Sequence, residues 1–222
     1  MTLKELGMTL RAIGIVLADS NRTEQIHLVE EITGKKRLSR ALHEIFDSEE
    51  GRALLRERPE LCSAQVDYDK LRQLPQGTLG RAYVDHLDKN HLTADYQARP
   101  TTQVEDPTLS YLLRRFRQTH DVWHALLNLG VQGHEEVIIH AFSFGQLQLP
   151  VSALILFFGT LKHLVLEGRI GALRHALWEA FEHGRQAMPL LPVYWEHMWE
   201  EPIEKVRAHY GVVPCSREYV MS

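Results

Sequence analysis

Apolar positions recur at helical spacing along almost the whole chain. Near the N-terminus Leu3, Leu6, Leu10, Ile13 and Leu17 fall at alternating steps of three and four, one stripe of an amphipathic helix. That stripe predicts a helix docked on the rest of the protein; a membrane surface or a second subunit are the other places it could lie. Ser20 or Asn21 can cap a second helix over about residues 22–33, closed by Gly34. "SRALHEIFDSEEGRALLRERP" reads as one or two helices that stop before Pro59. A Pro/Gly turn at 75–77 precedes another helix. Residues 93–106 are polar and aperiodic, a loop between N-terminal helices (3–92) and a second group (107–210). Asp106-Pro107 is a cap followed by proline at the first helical position, and it opens a long helix to about Gly130. Further helices start near Gly133, Pro150 and Gly171, and a last one over about 193–209 is disturbed by Pro202. Strand-like alternation is scarce. The expected class is all-α, a single domain over 1–222 built as a bundle of about 8–10 helices.

Composition narrows the function classes. At 222 residues and 44% hydrophobic the chain can bury a sizeable core. A net charge of -4 gives no electrostatic reason to expect nucleic acid. Cys62 and Cys215 are far apart, with neither a disulfide framework nor a thiolate zinc spacing, which fits a reducing cytosol. Lys4, Glu5 and Arg11 interrupt the N-terminal apolar run, so a cleaved signal is not expected. The most apolar stretch, 137–166, is broken by His140, Gln146, Gln148, Pro150 and Lys162, and no transmembrane span is expected.

The chemistry concentrates in "RQTHDVWHALLNLGVQGHEEVIIHAF". On a helix at 100° per residue, His120 and His124 lie 40° apart and Asp121 falls within a 100° sector with them. The chain then turns through "GVQG", so Glu136 in the first turn of the next helix can reach His124 across an antiparallel hairpin. Two imidazoles with carboxylates suit Zn²⁺, Fe²⁺ or Mn²⁺, and fewer than six protein ligands leave positions open for water or substrate. The same residues also read as a salt-bridged polar face beside Arg114, Arg115 and Arg117, and the pattern alone leaves both readings standing.

HDxxH followed by eleven residues and Glu resembles the signature of the ubiquinone-biosynthesis family called coenzyme Q protein four. "GRALLRERPEL", "LRQLPQGTLGRAYVDHL", "DPTLSYLLRRFRQTHDVWH" and "PIEKVRAHYGVVP" also resemble that family's stretches, in its order, over roughly residues 10–214. The resemblance implies an α-helical fold and places metal ligands, also the catalytic candidates, at His120, Asp121, His124 and Glu136. It implies zinc as the divalent metal, with Fe²⁺, Mn²⁺ or Mg²⁺ as alternatives. It implies polyprenylated benzoquinone precursors as substrates, with removal of the ring C1 carboxyl and hydroxylation there, or else a scaffold for the other quinone-biosynthesis enzymes. Peripheral membrane contact, on the inner face, and a homodimer are further expectations. A mitochondrial presequence such as eukaryotic members carry is not found here, which points to a bacterial member.

The rest of the sequence accommodates such a substrate. Phe142, Leu147, Leu154, Phe157, Phe158 and Leu161 could form a tunnel for an isoprenoid tail, or could be ordinary core. His140, four residues after Glu136, reads as a proton shuttle or a satisfied core histidine; His134 and Glu135 read as solvated, and Tyr111 and Trp123 as packing residues. Arg81, Arg114 and Arg117 are candidates to neutralise a carboxylate or phosphate, or to pair at the surface. A phosphohydrolase of the HD type would need a distal aspartate, and none follows Asp121. A zinc protease would need glutamate at position 121.

Overall fold

Helix starts follow capping chemistry. In the computed structural model, which describes residues 2–19, 22–167 and 170–215, there are eleven α-helices, one 3₁₀ turn and no strand among the described residues. α1 (Leu3–Ala18) opens with a capping box between Thr2 and Glu5. α2 (Thr23–Ile45) follows, then α3 (Glu49–Glu57), α4 (Tyr68–Gln73) and α5 (Leu79–Lys89), where Ser48, Asp67 and Thr78 accept from first-turn N–H groups. α6 (Ala94–Gln97) is a single turn within the expected loop. α7 (Pro107–Leu127) starts as predicted, with Asp106 Oδ1 accepting from Thr108 N at 2.9 Å and Leu109 N at 2.8 Å. α8 (Gly133–Leu147), α9 (Pro150–Glu167), α10 (Ile170–Gln186) and α11 (Ile203–Tyr210) complete the chain.

α8 is the central helix, packed on α9 and α10, while α7 packs on α2, α5 and α8. α8 and α10 meet backbone to backbone: a Cβ on Gly145 would sit 2.3 Å from the Phe181 carbonyl, and one on Gly184 2.2 Å from that of Phe142. Only glycine permits this approach. One contiguous core, from Ala12 to Val212, unites all the layers. The stretches "LPQGTLGRAY" and "PIEKV" are neighbours in space: Ile203 N donates to Gly77 O at 2.8 Å, and Gly80 N to Trp199 O at 2.9 Å. Among the described residues both cysteines are free thiols, and no helix is long and apolar enough to cross a membrane.

Four expectations are corrected. α2 does not stop at Gly34 but continues to Ile45, because Gly34 lies against Leu113 and Leu149, and that packing outweighs its low helix propensity. The candidate caps Ser20 and Asn21 lie outside the described residues. The last predicted helix is split, with a 3₁₀ turn at Trp195–His197 and α11 entered through Pro202. α1 does dock, on α2, but through Thr9 and Ala12, whose small side chains allow close approach. The leucine stripe faces out, with Leu3 89% and Leu10 61% exposed; Leu17's side chain lies outside the described residues. Glu135 is buried rather than solvated, because its carboxylate accepts from Gly130 N at 2.7 Å and Gln132 N at 3.0 Å in the turn between α7 and α8. Tyr111 and Trp123 are core residues, as expected.

Candidate metal centre

The i,i+4 spacing on α7 and the short turn to α8 do what the helical wheel requires. His120 Nε2 and His124 Nε2 lie 3.1 Å apart, with ring planes at 83°. Glu136 reaches over from α8, its Oε1 3.4 Å from His124 Nε2 and its Oε2 3.6 Å from His120 Nε2. Ligand atoms of these three residues all fall within 4.8 Å of one another. Two imidazole nitrogens converging on one carboxylate form a donor set that fits a divalent metal.

Asp121 is not brought into this group. It sits 100° round the helix from His120, an arc its short side chain does not close. It is buried beside the group, where burial first and then Glu136 push its carboxyl up to about 6, against the pull of His120. Its charge is also felt by Tyr68 and Tyr83, whose phenols are raised chiefly by burial.

The electrostatics divide the histidines. Burial opposes a proton on His120, but Glu136, Asp121 and Glu30 outweigh it and hold its pKa above the usual value. His124 is driven well below the usual value by burial and then by positive charge on His120. His140 is likewise held neutral by burial and His120.

Around these groups lie further side chains, among them His86, which spacing did not reveal. His86 of α5 stacks on His124 at 5.0 Å between ring centres and 20° between planes. Its signal was a histidine on the core face of α5 beside Leu79, Tyr83 and Leu87. His140 lies on the other side, 5.2 Å from the His120 ring. Of the arginines, Arg114 pairs with Glu60 and Arg81 with Asp85. Arg115 and Arg117 are buried, the first on Glu196 and the second on Glu30 at 2.6 Å and Glu31 at 3.0 Å. Glu31 in turn accepts from Thr102 N at 2.7 Å and Gln103 N at 2.8 Å, so the 98–106 segment is fastened to the charged pair behind the site.

An apolar cavity of about 60 Å³ opens between α1 (Ile13, Val16), α2 (Ile26, Val29) and α9 (Leu154, Ile155, Phe158). Of the six candidate tail residues, Leu154 and Phe158 line it, Phe157 (64%) and Leu161 (43%) are exposed on α9, and Phe142 and Leu147 are buried in the core.

The model of the coenzyme Q (ubiquinone) biosynthesis protein Coq4 family matches residues 1–216. The chain belongs to that family. A mitochondrial ubiquinone biosynthesis protein of this name from Coprinopsis cinerea is 34% identical over 205 residues, 92% of this chain and 70% of that protein. The homologue from Bos taurus is 32% identical over 210 residues, 95% of this chain and 78% of that protein. A crystal structure of a protein from Nostoc punctiforme shares the fold, with a TM-score of 0.71 and 24% identity, covering 93% of this chain and 97% of that one. The sequence resemblance and the all-α expectation are thus both met, and the chain is a ubiquinone biosynthesis protein of this family.

Proposed function

We propose that the protein binds a divalent metal, zinc first, through His120, His124 and Glu136, and removes the C1 carboxylate of a prenylated hydroxybenzoate. The observation that carries this reading is the convergence of those three side chains on one another. An apolar cavity lies further along α9: His140 Nδ1 is 3.4 Å from Ser152 Oγ, and Val151, one step of about 100° round that helix from Ser152, lines the cavity. The metal would supply Lewis acidity to the ring carboxylate. Asp121 flanks it as a further carboxylate of the site. Loss of CO₂ leaves either a hydrogen at C1, by protonation, or a hydroxyl, for which dioxygen and a two-electron donor must be supplied. The cavity takes the first part of the tail only; the remainder lies along the exposed Phe157 and Leu161 face of α9.

Metal analysis of the wild type beside His124→Ala and Glu136→Ala tests the site. About one metal per chain is expected in the wild type and a loss of most of it in both variants, with CO₂ release from a prenylated hydroxybenzoate falling in step. Retention of metal by both variants sinks the assignment.

A second reading is a prenyl-lipid-binding scaffold without turnover that presents intermediates to other quinone-biosynthesis enzymes at a membrane. The exposed row of Leu3, Leu10, Phe157 and Trp178 favours it. Bound prenyl lipid in the purified protein, with metal present and no CO₂ release under any metal, would select it.

A further inference from the structure

We propose that His140 recognises a ring hydroxyl of the substrate, between the metal group and the apolar cavity. This rests on the function proposed above. The solvent-accessible wall of the site is made by Glu136, with a side chain 36% exposed, by His120 at 14%, and by half-buried His140; His124, at 1%, is closed off. Glu136 and His140 stand one turn apart on the same face of α8. The rise between them, about 6 Å over four residues, is close to the span of a benzene ring with a substituent at each end. A carboxylate held at His120, His124 and Glu136 therefore places its para oxygen at the level of His140.

His140 is prepared for that contact. Ser152, fully buried on α9, engages Nδ1 at 3.4 Å. The Nε2 atom makes no hydrogen bond among the described residues, so it is the open polar atom of the ring, free to engage one hydroxyl. Ser152 follows Val151 on α9, and Val151 and Ile155 line the apolar cavity on the adjoining face of that helix. A tail attached next to the hydroxyl would pass round α9 from His140 to reach that cavity.

The test compares two probes on the metal-loaded protein by calorimetry: 3-geranyl-4-hydroxybenzoate and 3-geranylbenzoate, which lacks the hydroxyl. A site built to hydrogen-bond a hydroxyl discriminates strongly against its absence. The wild type is expected to favour the hydroxylated probe at least tenfold. His140→Phe should lose that preference by weakening the hydroxylated probe alone, with metal content and melting temperature unchanged. Ser152→Ala, which leaves the imidazole but frees it, should lower the preference several-fold, and it carries the test if the Phe variant does not fold. Three results overturn the proposal: a preference that persists in His140→Phe, an equal weakening of both probes, or loss of metal with His140. A metal-loaded wild type that binds neither probe overturns the function proposed above together with this inference; binding by the wild type without discrimination overturns this inference alone.

Discussion

α7 buries Arg115, Arg117, Asp121 and His124, groups that most helices leave in water, whereas α1 leaves Leu3, Leu6 and Leu10 in water, groups that most helices bury. The two departures have different causes. On α7 the guanidiniums are matched: Arg115 has Glu196, and Arg117 has Glu30 and Glu31. Removing those matched pairs leaves His120 and His124, enclosed imidazoles answered by one carboxylate across the hairpin, with Asp121 buried beside them. Unmatched ionisable groups held out of water are where a ligand has work to do. On α1 the surplus is apolar and outward, with Leu3 and Leu10 exposed. The first departure coincides with the candidate metal centre, the second with an apolar surface open to solvent.

Arg117→Ala should damage the first region most. It strands buried Glu30 and strips Glu31 of its guanidinium, and breaking such a buried pair costs about 3–5 kcal/mol. Urea unfolding checks this, and a cost under about 1 kcal/mol would place the pair with ordinary surface bridges. Arg72→Ala removes an exposed arginine bridged to Asp69 and Asp88, and it should leave the unfolding midpoint nearly unchanged.

Acid should act at an intermediate level. His27 and His86 are lowered to about 4, chiefly by burial and secondly by Arg117 and His120 respectively. Between about 4 and 6.5 the unfolded chain binds protons that the folded one refuses, so stability falls as pH drops through that window. Unfolding curves of metal-free protein from neutral pH down to about 4 measure this, and His27→Gln should flatten the slope. An unchanged slope in His27→Gln would show that this imidazole takes its proton equally in the folded and unfolded states.

The smallest effect on stability belongs to α1. Leu6→Ser with Leu10→Ser should change unfolding free energy by no more than about 0.5 kcal/mol per site, while reducing co-sedimentation with lipid vesicles. Loss of stability without loss of vesicle binding would return the stripe to the protein interior.

These regions differed in legibility too. His120, His124 and Glu136 were readable because helix periodicity and a four-residue turn suffice to place them. Asp121 shared their motif but not their convergence, since adjacency in sequence is a 100° rotation on a helix. His86 and Glu30 come from α5 and α2, and no local pattern ties them to α7. The α1 stripe had the right period, but period alone does not say which side the protein occupies. Gly34 looked like a stop because its neighbours on α7 and after α8 are distant in sequence.

The Glu31 carboxylate has a consequence for the order of assembly. It joins Arg117 across 86 residues and the Thr102 amide across 71, and Glu30 meets Arg117 across 87. Contacts so distant along the chain close late, after the loops they span have already lost their freedom. The His120 and His124 donors on α7 are therefore expected to gain this charged support late, as the bundle condenses. Metal added during refolding should leave the folding rate unchanged and slow only unfolding.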